Sequence, residues 1–237
     1  MSKGFWAIIA IIAIVFGGIL FFKDHNKADA PASTQPTNHV EGAGQKHVTL
    51  VEYGDYQCPF CEQYYPVVKQ VVEKYKNDIT FQFRNLPLTQ VHESALAGAR
   101  SAEAAGLQNK YWEMHDWLYE NQQTWVGAKD PITTFSTAAK QFGMNVDTFK
   151  KDFASSRVND FINNDIAEFN KTKNKVETPT FFLDGKKITP SLSYTDNTQQ
   201  TVDVPASVAT FNKVLDDTIA AKTSTPTSAP GGSQHPQ

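Results

Sequence analysis

The feature that most constrains this chain is a pair of cysteines, Cys58 and Cys61, placed where a strand pattern gives way to a helix pattern. They are the only two cysteines in 237 residues. Upstream, HVTLVEYGDY (47–56) carries Val48, Leu50 and Val51 as a buried strand would. Downstream, CPFCEQYYPVVKQVVEKYKND sets Tyr64, Val67, Val68, Val71, Val72 and Tyr75 at helical spacing, with Pro66 expected to kink the helix. If Cys58 is the N-cap, Pro59 falls at the first helical position, where a missing N–H leaves no bond unmade. The helix N-terminus carries partial positive charge, so a Cys58 thiolate there is stabilised below the free value of about 8.5. Cys61 lies three residues on, on the same helical face, and is expected to sit deeper. The spacing therefore predicts Cys58 as the exchanging sulfur and Cys61 as the resolving one.

Two blander outcomes compete. An inert disulfide would be a poor staple, because closing so short a loop removes little chain entropy. Half of a zinc site would need about four ligands. No second CxxC exists, and His25, His39, His47, His92, His115 and His235 are scattered.

The net charge of −3 gives no case for nucleic-acid binding or a polybasic membrane patch. With 40% hydrophobic and 20% charged residues, the composition is that of a globular protein with an apolar core. The N-terminus is different. Residues 4–22, GFWAIIAIIAIVFGGILFF, contain no charge. At about 1.5 Å per residue such a helix is roughly 28 Å long, close to the ~30 Å hydrocarbon core of a bilayer. Lys3 and the amino terminus before it favour a cytoplasmic N-terminus and a single-pass anchor at 1–22. A cleaved signal peptide is the rival, but Pro31 follows the Ala28-Asp29-Ala30 site where it would hinder cleavage. Both place the rest of the chain outside the cytoplasm, where a cysteine pair is first a matter of disulfide chemistry.

Residues 23–45, polar and rich in Ala, Pro, Thr and Gly, are expected to be a flexible linker, and 223–237 a disordered tail. Between them lies one domain, 46–222. ITFQFRNLPL (79–88) predicts a second strand parallel to the first, which makes a βαβ unit. ESALAGARSAEAAG, KYWEMHDWLYENQ, ITTFSTAAKQFG and NVDTFKKDF predict a helical block over about 90–175, the last opened by an Asn145 cap. TPTFFLDGKKI (178–188) predicts a strand and an Asp184-Gly185 hairpin turn, and SVATFNKVLDDTIAA a final helix. The sum is an α/β sheet with helices inserted in its middle.

With EYGDYQCPFC, TFQFRNLPL, HESALAGARSAEAAG, KYWEMHDWLYENQ and ETPTFFLDG, the chain resembles the DsbA-like thiol–disulfide oxidoreductases of the thioredoxin superfamily, in their membrane-anchored form. The resemblance implies a thioredoxin fold with an inserted helical domain. It implies that Thr178-Pro179 is a cis-proline loop beside the cysteines, its backbone offered to the substrate chain. It implies that Glu52, six residues before Cys58, is a buried carboxylate that passes protons to and from Cys61. Pro59 and Phe60 are the spacer residues that tune the pair. Many strongly oxidising members carry histidine where this chain has Phe60, and phenylalanine cannot support a thiolate as histidine does.

The expected activity is the introduction of disulfides into reduced or misoxidised exported polypeptides. A membrane redox partner would regenerate the pair, and no cofactor, metal or nucleic acid is expected to be bound. The alternatives are a disulfide reductase or isomerase on the same fold and, from another class, an extracytoplasmic copper-handling protein.

Overall fold

A computed structural model describes residues 34–189, 192–195, 201–204 and 207–224. The expected anchor at 4–22, residues 23–33 of the expected linker and the tail from 225 on lie outside the described residues. Among the described residues no helix is long and apolar enough to cross a membrane.

The βαβ unit forms as the periodicity predicts. Strand β2 (Val48–Gly54) leads into helix α1 (Pro59–Tyr75), which continues through Pro66 and returns to β3 (Ile79–Asn85), parallel to β2. Strand β4 (Thr180–Leu183) pairs antiparallel with the other edge of β2, and β5 (Lys186–Ile188) with β4. Asp184 and Gly185 turn the chain between β4 and β5 with φ of 48° and 78°, the left-handed region that an Asp-Gly turn supplies.

One strand was not anticipated. Residues 39–41 form β1, antiparallel to β3, so the sheet runs β1-β3-β2-β4-β5. Residues 34–45 are therefore part of the domain and not of a linker. The Gly42-Ala43-Gly44 stretch is a tight turn, Gly42 and Gly44 having φ of 90° and 62°. It is tied down where the Ala43 N–H donates to the Lys76 carbonyl (2.6 Å) and the Gly44 N–H to that of Ile79 (3.1 Å). Strands β6 (Leu192–Thr195) and β7 (Thr201–Val204) form a separate antiparallel pair, also unforeseen.

Between β3 and β4 the chain inserts α2 (Ala95–Gly106), α3 (Tyr111–Glu120), α4 (Gln122–Trp125), α5 (Pro131–Gln141), α6 (Val146–Phe153) and α7 (Ser156–Lys171). Asn145 caps α6 as expected, its side chain accepting from the Thr148 N–H at 2.8 Å. The last helix, α8 (Val208–Ser224), extends through Thr223 and Ser224, which the tail was expected to hold.

Side chains alternate across a strand, and that alternation divides the core. On one face Leu50, Phe81, Phe83 and Phe181 pack with Val68 and Val71 of α1, Met114 and Leu118 of α3, and Phe211 of α8. On the other, Tyr53 and Phe182 meet Phe169 of α7. Gly54 closes β2 against α3. A methyl group there would collide with the Phe83 ring and come within 3.0 Å of the Tyr119 hydroxyl. The two faces make β2 the central strand, which buries Glu52 on its α1 side.

Candidate active site

The site is built where β2 ends. Asp55, buried at the strand exit, holds the loop that follows. Its Oδ1 accepts from the Gln57 N–H (2.8 Å), and its Oδ2 accepts from the Leu88 N–H (2.9 Å) and sits 2.7 Å from His92 Nδ1. The Gln57 side chain accepts from the Ser94 N–H at 2.6 Å, and Gln122 of α4 donates to the Tyr56 carbonyl at 2.9 Å. The segment before the cysteines is thus pinned by the β3–α2 loop and by the inserted helices.

Cys58 is the N-cap of α1, in extended conformation (φ −66°, ψ 123°), with Pro59 in the first turn as predicted. Both cysteines are free thiols and both are buried, Cys58 at 3% exposure and Cys61 at 0%. The Cys58 thiol donates to the Thr178 carbonyl at 3.4 Å. The Thr178-Pro179 bond is cis. Phe60 stands out into solvent at 62% exposure.

The two sulfurs differ in acidity. The Cys58 thiol is pulled from 9.0 to about 6, chiefly because the Cys61 thiol hydrogen-bonds to it, against the cost of burial. The Thr178 side chain and the backbone N–H groups of Cys61 and Phe60 add to the pull. The Thr178 hydroxyl is buried with no hydrogen-bond partner among the described residues, which leaves it available to a Cys58 thiolate. Cys61 is pushed well above the ordinary thiol value, first by burial and then by Cys58.

Glu52 is 4% exposed, and its carboxyl makes no hydrogen bond to any described residue. Burial and then the charge of Cys58 push it up to about 8. A neutral carboxylic acid, a readily ionised outer sulfur and a protonated inner sulfur therefore share one electrostatic environment, and their titrations are coupled.

All the residues expected at the site converge here: Cys58, Cys61, Glu52, Thr178, Pro179, Pro59 and Phe60. His115 is buried against Tyr56, whose hydroxyl lies 3.0 Å from Nδ1, and burial lowers it to about 3, so the ring is neutral. Three participants escaped the sequence reading. Asp55 had a local signal, an Asp two residues before a backbone N–H that it captures. Gln122 and Tyr119 had none, because each reaches the site from more than 50 residues away.

A family model described as thioredoxin matches residues 34–204. The chain belongs to the thioredoxin family, and its fold is the DsbA-like form with an inserted helical domain. BdbD from Bacillus subtilis, in its oxidised form, is similar over 80% of this chain and 98% of its own, with a TM-score of 0.60 and 20% identity. Wolbachia pipientis alpha-DsbA1 is similar over 80% of this chain and 95% of its own, with a TM-score of 0.62 and 20% identity. By sequence, a stretch of 152 residues is 37% identical to the Na(+)/H(+) antiporter NhaA 1 of Salinispora arenicola. That stretch is 63% of this chain but 22% of the antiporter. The chain thus spans about a fifth of that relative's length, and the likeness concerns that section alone.

Proposed function

We propose that the chain is a membrane-anchored, extracytoplasmic thiol–disulfide oxidoreductase that donates its Cys58–Cys61 disulfide to reduced cysteines of exported polypeptides. The observation that carries this reading is the split between the sulfurs: Cys58 lowered to about 6, Cys61 raised well above 9.0. A stabilised thiolate in the reduced enzyme favours that form and so drives oxidation of the substrate. The apolar run at 4–22 supports the anchor, and the anchor's orientation supports the extracytoplasmic placement.

The steps balance as follows. A substrate thiolate attacks Cys58 Sγ, forming an intermolecular disulfide and breaking the Cys58–Cys61 bond. Cys61 leaves with the electron pair and takes a proton from Glu52, whose carboxyl is neutral below about 8. A second substrate thiolate then attacks the substrate sulfur, and Cys58 departs as the stabilised thiolate. The substrate has lost two electrons and the enzyme has gained them. A membrane oxidant, quinone-linked as the family resemblance implies, removes those electrons. The Thr178 backbone, one residue before Pro179, lies where an extended substrate segment would pair beside Cys58.

The test uses the oxidised full chain and a model dithiol peptide. One peptide disulfide should form per enzyme disulfide consumed. Cys58→Ser should reduce this to the buffer background, and Cys61→Ser, which has no intramolecular disulfide to give, should do the same. Full oxidation by Cys58→Ser would end the proposal.

A further inference from the structure

A cavity of about 650 Å³ lies between α1 and α3, with the sheet as its floor and Glu52 in its lining. That volume is of the size that holds a small organic ligand. Its charged groups can be paired off one by one. Lys69 is held by Asp116 (2.9 Å), Glu120 (3.0 Å) and the Tyr65 hydroxyl (2.7 Å). Lys74 donates to the Tyr75 hydroxyl and lies over that ring. Glu73 is answered by Lys76 at 2.6 Å. Two lining carboxyls are left over. Glu52 is 4% exposed and Glu41 is half-buried, and neither makes a hydrogen bond or ion pair to any described residue. Tyr119 also lines the cavity, and its buried hydroxyl has no partner among the described residues.

The strand register fixes how the two carboxyls are spaced. Glu41 of β1 pairs with Phe81 of β3, which pairs with Leu50 of β2, so Glu52 lies two strands across and two residues along. Strands about 4.8 Å apart that rise about 3.4 Å per residue place the two α-carbons roughly 12 Å apart. The period of two places both side chains on the face that Phe81 shares. Phe81, Trp112 and Val68 line the space with apolar surface. The cavity thus offers two carboxyls with no hydrogen-bond or ion-pair partner, Glu41 attracted by Lys69 only at longer range and repelled by Asp116 and Glu73, with an aromatic and aliphatic middle between them.

We propose that this cavity is a binding site for a short linear diamine or polyamine, one ammonium group at Glu41 and another at Glu52, its methylene chain lying against Trp112 and Phe81. With both side chains standing off the same face of the sheet, the carboxyls keep about the spacing of their α-carbons, so an ion pair of about 2.8 Å at each end leaves nitrogens roughly 6 Å apart, as in a four-carbon diamine. Trp112 adds cation–π attraction to an ammonium passing its face.

The test is equilibrium dialysis of the full chain in detergent, cysteines held reduced, against radiolabelled 1,4-diaminobutane at pH 8.5, above the value of about 8 for Glu52. Saturable binding at one per chain is expected. Unlabelled butylamine, with one charge, should compete at least tenfold more weakly, and 1,4-butanediol should not compete. Glu41→Gln and Glu52→Gln should each weaken binding at least tenfold while melting as cooperatively as the wild type. Absence of saturable binding, equal competition by butylamine or the diol, or undiminished binding by a folded Glu41→Gln chain would each overturn the site. Dialysis does not use the cysteine chemistry, so a failure here leaves the redox reading standing.

Discussion

Among the carboxylates buried in the described residues, Asp165 and Glu52 are treated in opposite ways by their surroundings. Asp165 of α7, at 0% exposure, accepts from the N–H and hydroxyl of Thr37 and from the N–H and side-chain amide of Asn85, all between 2.7 and 3.2 Å. Glu52 accepts from no described residue. Burial raises both, but the hydrogen bonds from Asn85 and Thr37 hold Asp165 back to about 6, whereas Glu52 rises to about 8. A satisfied buried carboxylate holds distant segments together: Asp165 of α7 ties the segment before β1 to the end of β3. An unsatisfied one stores a proton that the neighbouring chemistry can use. Burial alone therefore separates neither role; the hydrogen-bond partners do.

The contrast can be broken by exchanging the readouts. Asp165→Ala should cost about 3 kcal/mol, because it strands the Thr37 and Asn85 donors in the interior. For a domain of this size that corresponds to a fall of about 6–12 °C in Tm, with the reduction potential unmoved. A change in potential would show that the Thr37–Asp165–Asn85 knot reaches the cysteines.

Glu52→Gln should do the reverse. Stopped-flow exchange at pH 7 should slow by about a hundredfold at the step that protonates Cys61, since Gln cannot deliver a proton. Its stability profile should also flatten. A carboxyl raised from 4.5 to about 8 on folding contributes stability that is full below pH 4.5 and is lost as pH rises through about 8. Melting curves from pH 4 to pH 9 should therefore decline less in the variant than in the wild type. Equal slopes would mean that Glu52 ionises as freely as in the unfolded chain.

A finer test concerns the outer sulfur. Phe60→His should lower the Cys58 value further by adding a donor beside the thiolate, read from thiolate absorbance against pH. Because Phe60 is exposed, stability should stay within about 0.5 kcal/mol. Thr178→Val should shift Cys58 upward by less than Phe60→His shifts it downward, since the Thr178 side chain is only one of several groups favouring the thiolate. A downward shift in the Val variant would remove Thr178 from the account.

The redox motif was legible because its signals are local. Strand alternation, a proline at the first helical position and a three-residue spacing all lie within 30 residues, and Thr178-Pro179 announces itself beside a strand pattern. Glu52 could be placed only through the family resemblance, since an isolated Glu in a strand fits an exposed face equally well. Strand β1 was illegible. Three residues, His39–Glu41, sit in a Gly- and Pro-rich stretch that reads as a tether, and become a strand only by pairing with β3 some 40 positions later. The Thr37–Asp165 contact spans 128 residues and the cavity draws on six elements, so neither leaves a periodic trace.

The central claim is that this pair is poised to give its disulfide away. It is tested most directly by equilibrating the full chain with glutathione and measuring the reduction potential of Cys58/Cys61. The lowered Cys58 thiolate predicts an oxidising value well above thioredoxin's roughly −270 mV. The absence of a histidine at Phe60 predicts one below the roughly −120 mV of the strongest oxidants in this superfamily. A value at or below about −270 mV would contradict the account and make the protein a reductase.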